Sequence, residues 1–183
     1  ILLFLGRCAT FRVQTTPSMR YYDSRHIRIL APANIMVVMS DVWWFVGLGV
    51  WSAAIVMAIK PLHAYLVNKG CEDMVAVYYN RKVAHMLAGG VPILASPIVF
   101  TDPMWPLLGG LIGAAVLAST HILDRRLWWM QTEQNMNDAT FSLMLGLSVF
   151  ALWTYSEEPW LAILPAFFMA FGDGVTGIIR NKL

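Results

Sequence analysis

Charge is scarce in this sequence: 13 Lys and Arg and 11 Asp and Glu are spread over 183 residues, leaving 58% of the chain hydrophobic and 13% charged. A soluble domain of this length exposes too much surface for that balance. The cations are scattered, with no basic stripe interleaved with stacking aromatics, so a nucleic-acid surface is not expected. Cysteine is nearly absent. Cys8 and Cys71 form no CxxC pair and no cluster with His. Neither a disulfide framework nor a thiolate metal site is expected, and both thiols read as inert. There is no P-loop, no internal repeat and no stretch with the composition of a soluble domain.

Long apolar runs are what the sequence has instead. Several approach the roughly 20 residues needed to cross a hydrocarbon core about 30 Å thick, and many of the 8 tryptophans flank them, as an interfacial belt would. The fold class expected is all-α: a polytopic integral membrane bundle with about five spanning helices occupying residues 33–183. Residues 1–32 carry Arg7, Arg12, Arg20, Arg25 and Arg28 among turn-forming prolines, and read as an arm with one interfacial helix. "ILLFLG" is too short for a signal-peptide core. A start at Ile1 rather than Met leads us to expect a processed or incomplete chain.

The spans read as 34–59, closed by Lys60 and Pro61; 83–100; 104–122; 139–155; and one beginning at Trp160. Between the first two, residues 62–82 place apolar residues at helical spacing among charges, the pattern of an amphipathic helix lying on the membrane. The connection 60–82 carries Lys60, Lys69, Arg81 and Lys82. The third-to-fourth connection carries Arg125 and Arg126, and the tail Arg180 and Lys182. These segments share one face, which the positive-inside rule places in the cytoplasm. The basic N-terminal arm opposes that rule if the first run crosses, so either the arm is exported or the run is re-entrant.

Polar residues in the spans carry the functional reading. In "FFMAFGDGVTGIIRNKL" a carboxylate, Asp173, sits between Gly172 and Gly174, about 10 Å along the helix from Arg180. Intramembrane acids face a bundle interior or a wet cavity. In "YNRKVAHMLAGG", Arg81 and His85 share a helix face at i, i+4, with Lys82 beside them. The third-to-fourth connection adds Glu133, Asn135, Asn137 and Asp138, of which Asn137 or Asp138 could cap the next helix. Two readings of the polar residues stand. One is snorkelling anchors and a structural ion pair. The other is a site where Arg and Lys hold phosphate oxygens and carboxylates hold Mg²⁺ beside an apolar body.

The elements "NRKVAHMLAGG" and, roughly ninety residues later, "FGDGVTGIIRNK" resemble the polyprenol kinase group, which includes dolichol and phytol kinases and is related to phosphatidate cytidylyltransferases. The resemblance covers residues 78–183. It implies transfer of a phosphoryl group from CTP, or another nucleoside triphosphate, to an isoprenoid alcohol at the cytoplasmic face of a membrane, with Mg²⁺. Arg81 and Lys82 would hold phosphates, together with Gly172, Gly174 and Asn137. His85 would exchange or position a proton, and Asp173 would act with the metal, joined by Glu133 from "EQNMNDAT". In that group the Gly-Asp element is followed by a basic segment and further spans, whereas this sequence stops at Leu183. Either the chain is incomplete or it is a reduced relative. The rival expectation is therefore a noncatalytic subunit of a larger membrane assembly, with the Trp-rich first run and the Gly109-to-Gly113 spacing facing partner helices.

Overall fold

The computed structural model describes residues 32–180, which are helical with no strand among them. Of the expected arm, residues 1–32, all but Pro32 lies outside them, and Pro32 opens the first helix. Helix α1 (Pro32–Ala58) runs through a one-residue break at Ile59 into α2 (Lys60–Asn68). It is continuous, without the reversal a re-entrant segment needs. After a turn in which Gly70 takes a left-handed φ of +92°, α3 (Asp73–Ala84) passes through a π-helical turn, His85–Gly90, into α4 (Val91–Val99). Then come α5 (Met104–Ile122) and α6 (Asn137–Ser156). The last span is built from α7 (Pro159–Ala162), α8 (Leu164–Phe167), a second π-helical turn (Phe168–Gly172) and α9 (Asp173–Arg180).

Five stretches are long and apolar enough to cross a membrane: Met39–Asn68, Asp73–Val99, Met104–Ile122, Asn137–Ser156 and Pro159–Gly177. The protein is an all-α, multi-pass helical bundle by this measure. One expectation needs correcting. Residues 62–82 are not a single amphipathic helix on the surface: the first half extends the first span and the second half opens the second. Asn80 and Lys82 of that second half are buried in the bundle, whereas Asp73 at its start is exposed. Asn80, fully buried, donates Nδ2 to the Ile59 carbonyl (2.7 Å), which also accepts the His63 backbone N–H (3.1 Å), and to the Trp129 carbonyl (3.0 Å), tying the break between α1 and α2 to the connection between the third and fourth spans.

The prolines of the second span free carbonyls that side chains then satisfy. Pro92 has no N–H, so a carbonyl of the preceding turn loses its backbone donor. Trp51 Nε1 donates to the Leu87 carbonyl at 2.9 Å and Ser52 Oγ to the Ala88 carbonyl at 2.8 Å, which docks α1 onto the π turn. Pro97 likewise frees the Ile93 carbonyl, and Ser96 Oγ donates to it at 2.8 Å. At the other end of α1, the buried Asp41 accepts from the backbone N–H (3.2 Å) and hydroxyl (2.7 Å) of Thr101.

The tightest seam is between α5 and α6. A Cβ on Gly110 would fall 2.8 Å from Gly146 Cα, and one on Gly113 would strike Ser142 Oγ. Gly113, half of the close-packing pair the sequence suggests for a partner, is therefore used within the chain. The core gathers Ile93, Phe100, Leu145, Val149, Trp153 and Ile163 from the second, fourth and fifth spans.

Candidate functional site

Adjacent faces of α3 address different helices. Tyr78, Lys82 and Met86, at i, i+4 and i+8, face α9, where glycines make room: a Cβ on Gly174 would fall 2.5 Å from Met86 Cγ, and one on Gly177 would strike Tyr78 Oη. Arg81 and His85, one residue further round, face the start of α6. The two π-helical turns meet behind them, and such turns recur at functional sites because they re-aim the side chains that follow.

This geometry brings Arg81, Lys82, His85 and Asp173 together with Asp138. Lys82 Nζ donates to Asp173 Oδ2 at 2.5 Å and lies 5.1 Å from the Tyr78 ring centre. His85 stands between two carboxylates, its Nδ1 3.7 Å from Asp173 Oδ2 and its Nε2 3.6 Å from Asp138 Oδ1. Its ring stacks on Phe141 at 3.7 Å and 8°. Arg81 Nε lies 3.8 Å from Asp138 Oδ1, while its Nη1 approaches Asn135 Oδ1 at 3.4 Å. The imidazole separations exceed hydrogen-bond range. Both His85 nitrogens and Asp138 Oδ1 are buried without a hydrogen-bond partner, which in a native interior calls for an explanation. Two cations and two carboxylates balance in charge.

The residues singled out by sequence do not all converge. Asn137 is exposed at the start of α6, and Asn135 is the amide that meets Arg81. Glu133, 83% exposed, pairs with Arg126 at 3.1 Å. Gly172 has open space where a Cβ would be, whereas Gly174 is buried against Met86. Sequence reading had Asp138 only as a loop residue or cap. It makes no capping hydrogen bond and is buried, facing Arg81 and His85. Its signal was its place one helical step from Asn137, which local pattern cannot resolve.

An apolar cavity of about 470 Å³ opens beside the cluster, walled by α1, the second span, α5 and α6. His85 and Asp138 are the titratable side chains that line it; the remaining lining is apolar apart from serines such as Ser52 and Ser142. Cavities of this size with a few convergent polar groups suit small-molecule ligands.

Magnesium binds through one or two carboxylates together with substrate phosphates and keeps several waters. Asp173, with half its side chain exposed, fits as one such carboxylate, though Lys82 holds its Oδ2. Among the described residues there is no group of three or more His, Cys, Asp or Glu arranged to hold a metal alone. Comparison with protein-family models, curated proteins and solved structures finds no match to this chain.

Proposed function

We propose that this chain transfers a phosphoryl group from a nucleoside triphosphate, CTP by its resemblance to polyprenol kinases, to an isoprenoid or other lipid alcohol. The observation that carries the reading is the apolar cavity ending on His85 and Asp138, with Arg81, Lys82 and Asp173 beyond them. A lipid chain fits the apolar walls, and its hydroxyl would reach the polar end. Phosphoryl transfer asks mainly for positioning and charge neutralisation. Arg81 and Lys82 supply cations for phosphate oxygens. Lys82 would turn from Asp173 to a phosphate while Asp173 takes the divalent ion, an exchange that keeps both charges paired. Magnesium, when bound, would offset the charge of the phosphates.

Arg81, His85 and Asp138 stand together with Lys60, Trp128 and Trp129 at the end of the bundle that carries the basic connections. The positive-inside rule makes that end cytoplasmic in this reading, where nucleotides are found.

The rival, an accessory subunit, draws on α1, whose Trp43 is 70% exposed and Trp44 50%. The deciding experiment incubates the purified protein in lipid nanodiscs with labelled CTP or ATP, Mg²⁺ and a panel of polyprenols and other lipid alcohols. Label should pass into the lipid fraction. No transfer with any pair would reject the kinase reading and leave the subunit.

A further inference from the structure

Asp138 is the carboxylate that lines the apolar cavity, and its Oδ1 is buried without a hydrogen bond. Asp173, which the sequence motif puts forward, does not line it; its Oδ2 is occupied by Lys82 and half its side chain is exposed. A ligand in the cavity therefore meets Asp138 first. A counter-ion role for Arg81 accounts poorly for the geometry, because Arg81 approaches through Nε at 3.8 Å and directs Nη1 towards Asn135. The surroundings instead fix Asp138: it lies in the first turn of α6, and His85, held flat by Phe141, closes one side.

We propose that Asp138 is the acceptor for a hydroxyl group carried by the cavity's occupant. Oδ1 accepts the hydroxyl hydrogen bond and, in the transfer reaction, the proton. That second part rests on the kinase reading. The hydroxyl oxygen forms a bond to the γ-phosphorus of the nucleoside triphosphate. The bond from that phosphorus to the β,γ-bridging oxygen breaks, and its electron pair leaves with the nucleoside diphosphate. The hydroxyl proton ends on Asp138 and passes later to water. His85 is a positioning residue for this carboxylate, and Arg81 keeps its place with the phosphates.

The test compares an isoprenoid alcohol with its methyl ether, which has the same chain and no hydroxyl hydrogen. Both compete against labelled alcohol for saturable binding to the nanodisc-embedded protein, and transfer is followed in the same samples. Wild type should prefer the alcohol roughly tenfold or more, the scale of a hydrogen bond to a charged acceptor. Asp138→Leu should abolish the preference. Asp138→Asn should shrink it, since a neutral oxygen accepts less strongly, and should lower kcat by about 10² to 10⁴ with the nucleotide KM unchanged, since an amide cannot take the proton.

A wild type without preference, a preference that survives in either variant at full size, or Asp138→Asn turning over at the wild-type rate would overturn the proposal. An Asp138-dependent preference in a protein that transfers nothing would sustain the hydroxyl acceptor and reject the kinase reading. If Asp138→Leu fails to fold, Asp138→Asn decides alone.

Discussion

Lys82 Nζ donates to Asp173 Oδ2 at 2.5 Å, joining the second and fifth spans across 91 positions of sequence. The pair is asymmetric: 10% of the lysine side chain is exposed against 50% of the aspartate. Water reaches the carboxylate, so the attraction is partly screened. Asp173→Asn keeps the shape and an acceptor oxygen, and should cost about 1–2 kcal/mol in thermal unfolding, below the 3–5 kcal/mol of stranding a fully buried partner. In the proposed function the same variant should lose all protection by Mg²⁺ and nucleotide. A larger stability loss with protection unchanged would make the pair purely structural.

Two glycines of the last span, Gly172 beside Asp173 and Gly177 one turn on, separate under the same kind of measurement. Nothing lies within 4 Å of a Cβ on Gly172, so Gly172→Ala should change stability by less than about 0.5 kcal/mol. Gly177→Ala would drive a methyl into Tyr78 and the Lys82 stem, and should cost about 1–3 kcal/mol. Equal effects at the two positions would contradict the packing of α9 on α3.

Much of the architecture was legible because a span is a local property. Met104–Ile122 has the expected bounds, and the fourth and fifth spans begin within two residues of those read from the sequence. What failed was the stretch 62–82. Its charges suggest a helix with a wet face, but Asn80 and Lys82 are buried because their partners are the Ile59 and Trp129 carbonyls and Asp173. Those partners lie up to 91 positions away, and no periodicity reports them. At the candidate site, the i, i+4 spacing put Arg81 and His85 on one face correctly. The choice between Asn137 and Asp138 turned on about 100° of helix rotation, which only the packing of α6 fixes.

Topology gives a prediction that does not depend on chemistry. The turn at 69–72 and the loop 123–136 lie at the same end of the bundle, tied by Asn80 to Trp129 and by His63, whose ring centre is 5.1 Å from that of Trp128. Cysteines introduced one at a time at Lys69 and Arg126, in a background without native thiols, should react with an impermeant maleimide from one side of sealed vesicles. A cysteine at Asp102, in the turn between the second and third spans, should react from the other. Lys69 and Arg126 on opposite sides would undo the span assignment and the convergence of the site.

The docking of α1 onto the π turn can be tested through the missing N–H of Pro92. Ser52 Oγ is shared between the Leu48 carbonyl of its own helix (2.9 Å) and the Ala88 carbonyl (2.8 Å). Ser52→Ala should therefore cost about 1–2 kcal/mol, mostly from the acceptor left on the π turn. Pro92→Ala restores a backbone N–H that faces Leu87 in the five-residue register of the π turn and Ala88 in the four-residue register of an α-helix; relaxation of the turn to α-helical spacing then supplies the donor for Ala88. The cost of Ser52→Ala should fall to about 0.5 kcal/mol or less in that background, leaving a coupling of roughly 1 kcal/mol in a double-mutant cycle. Thermal unfolding of the four proteins measures it. Additive effects would mean that Ser52 does not replace the donor that Pro92 removes, leaving the Trp51 hydrogen bond to Leu87 as the polar tie between α1 and the π turn.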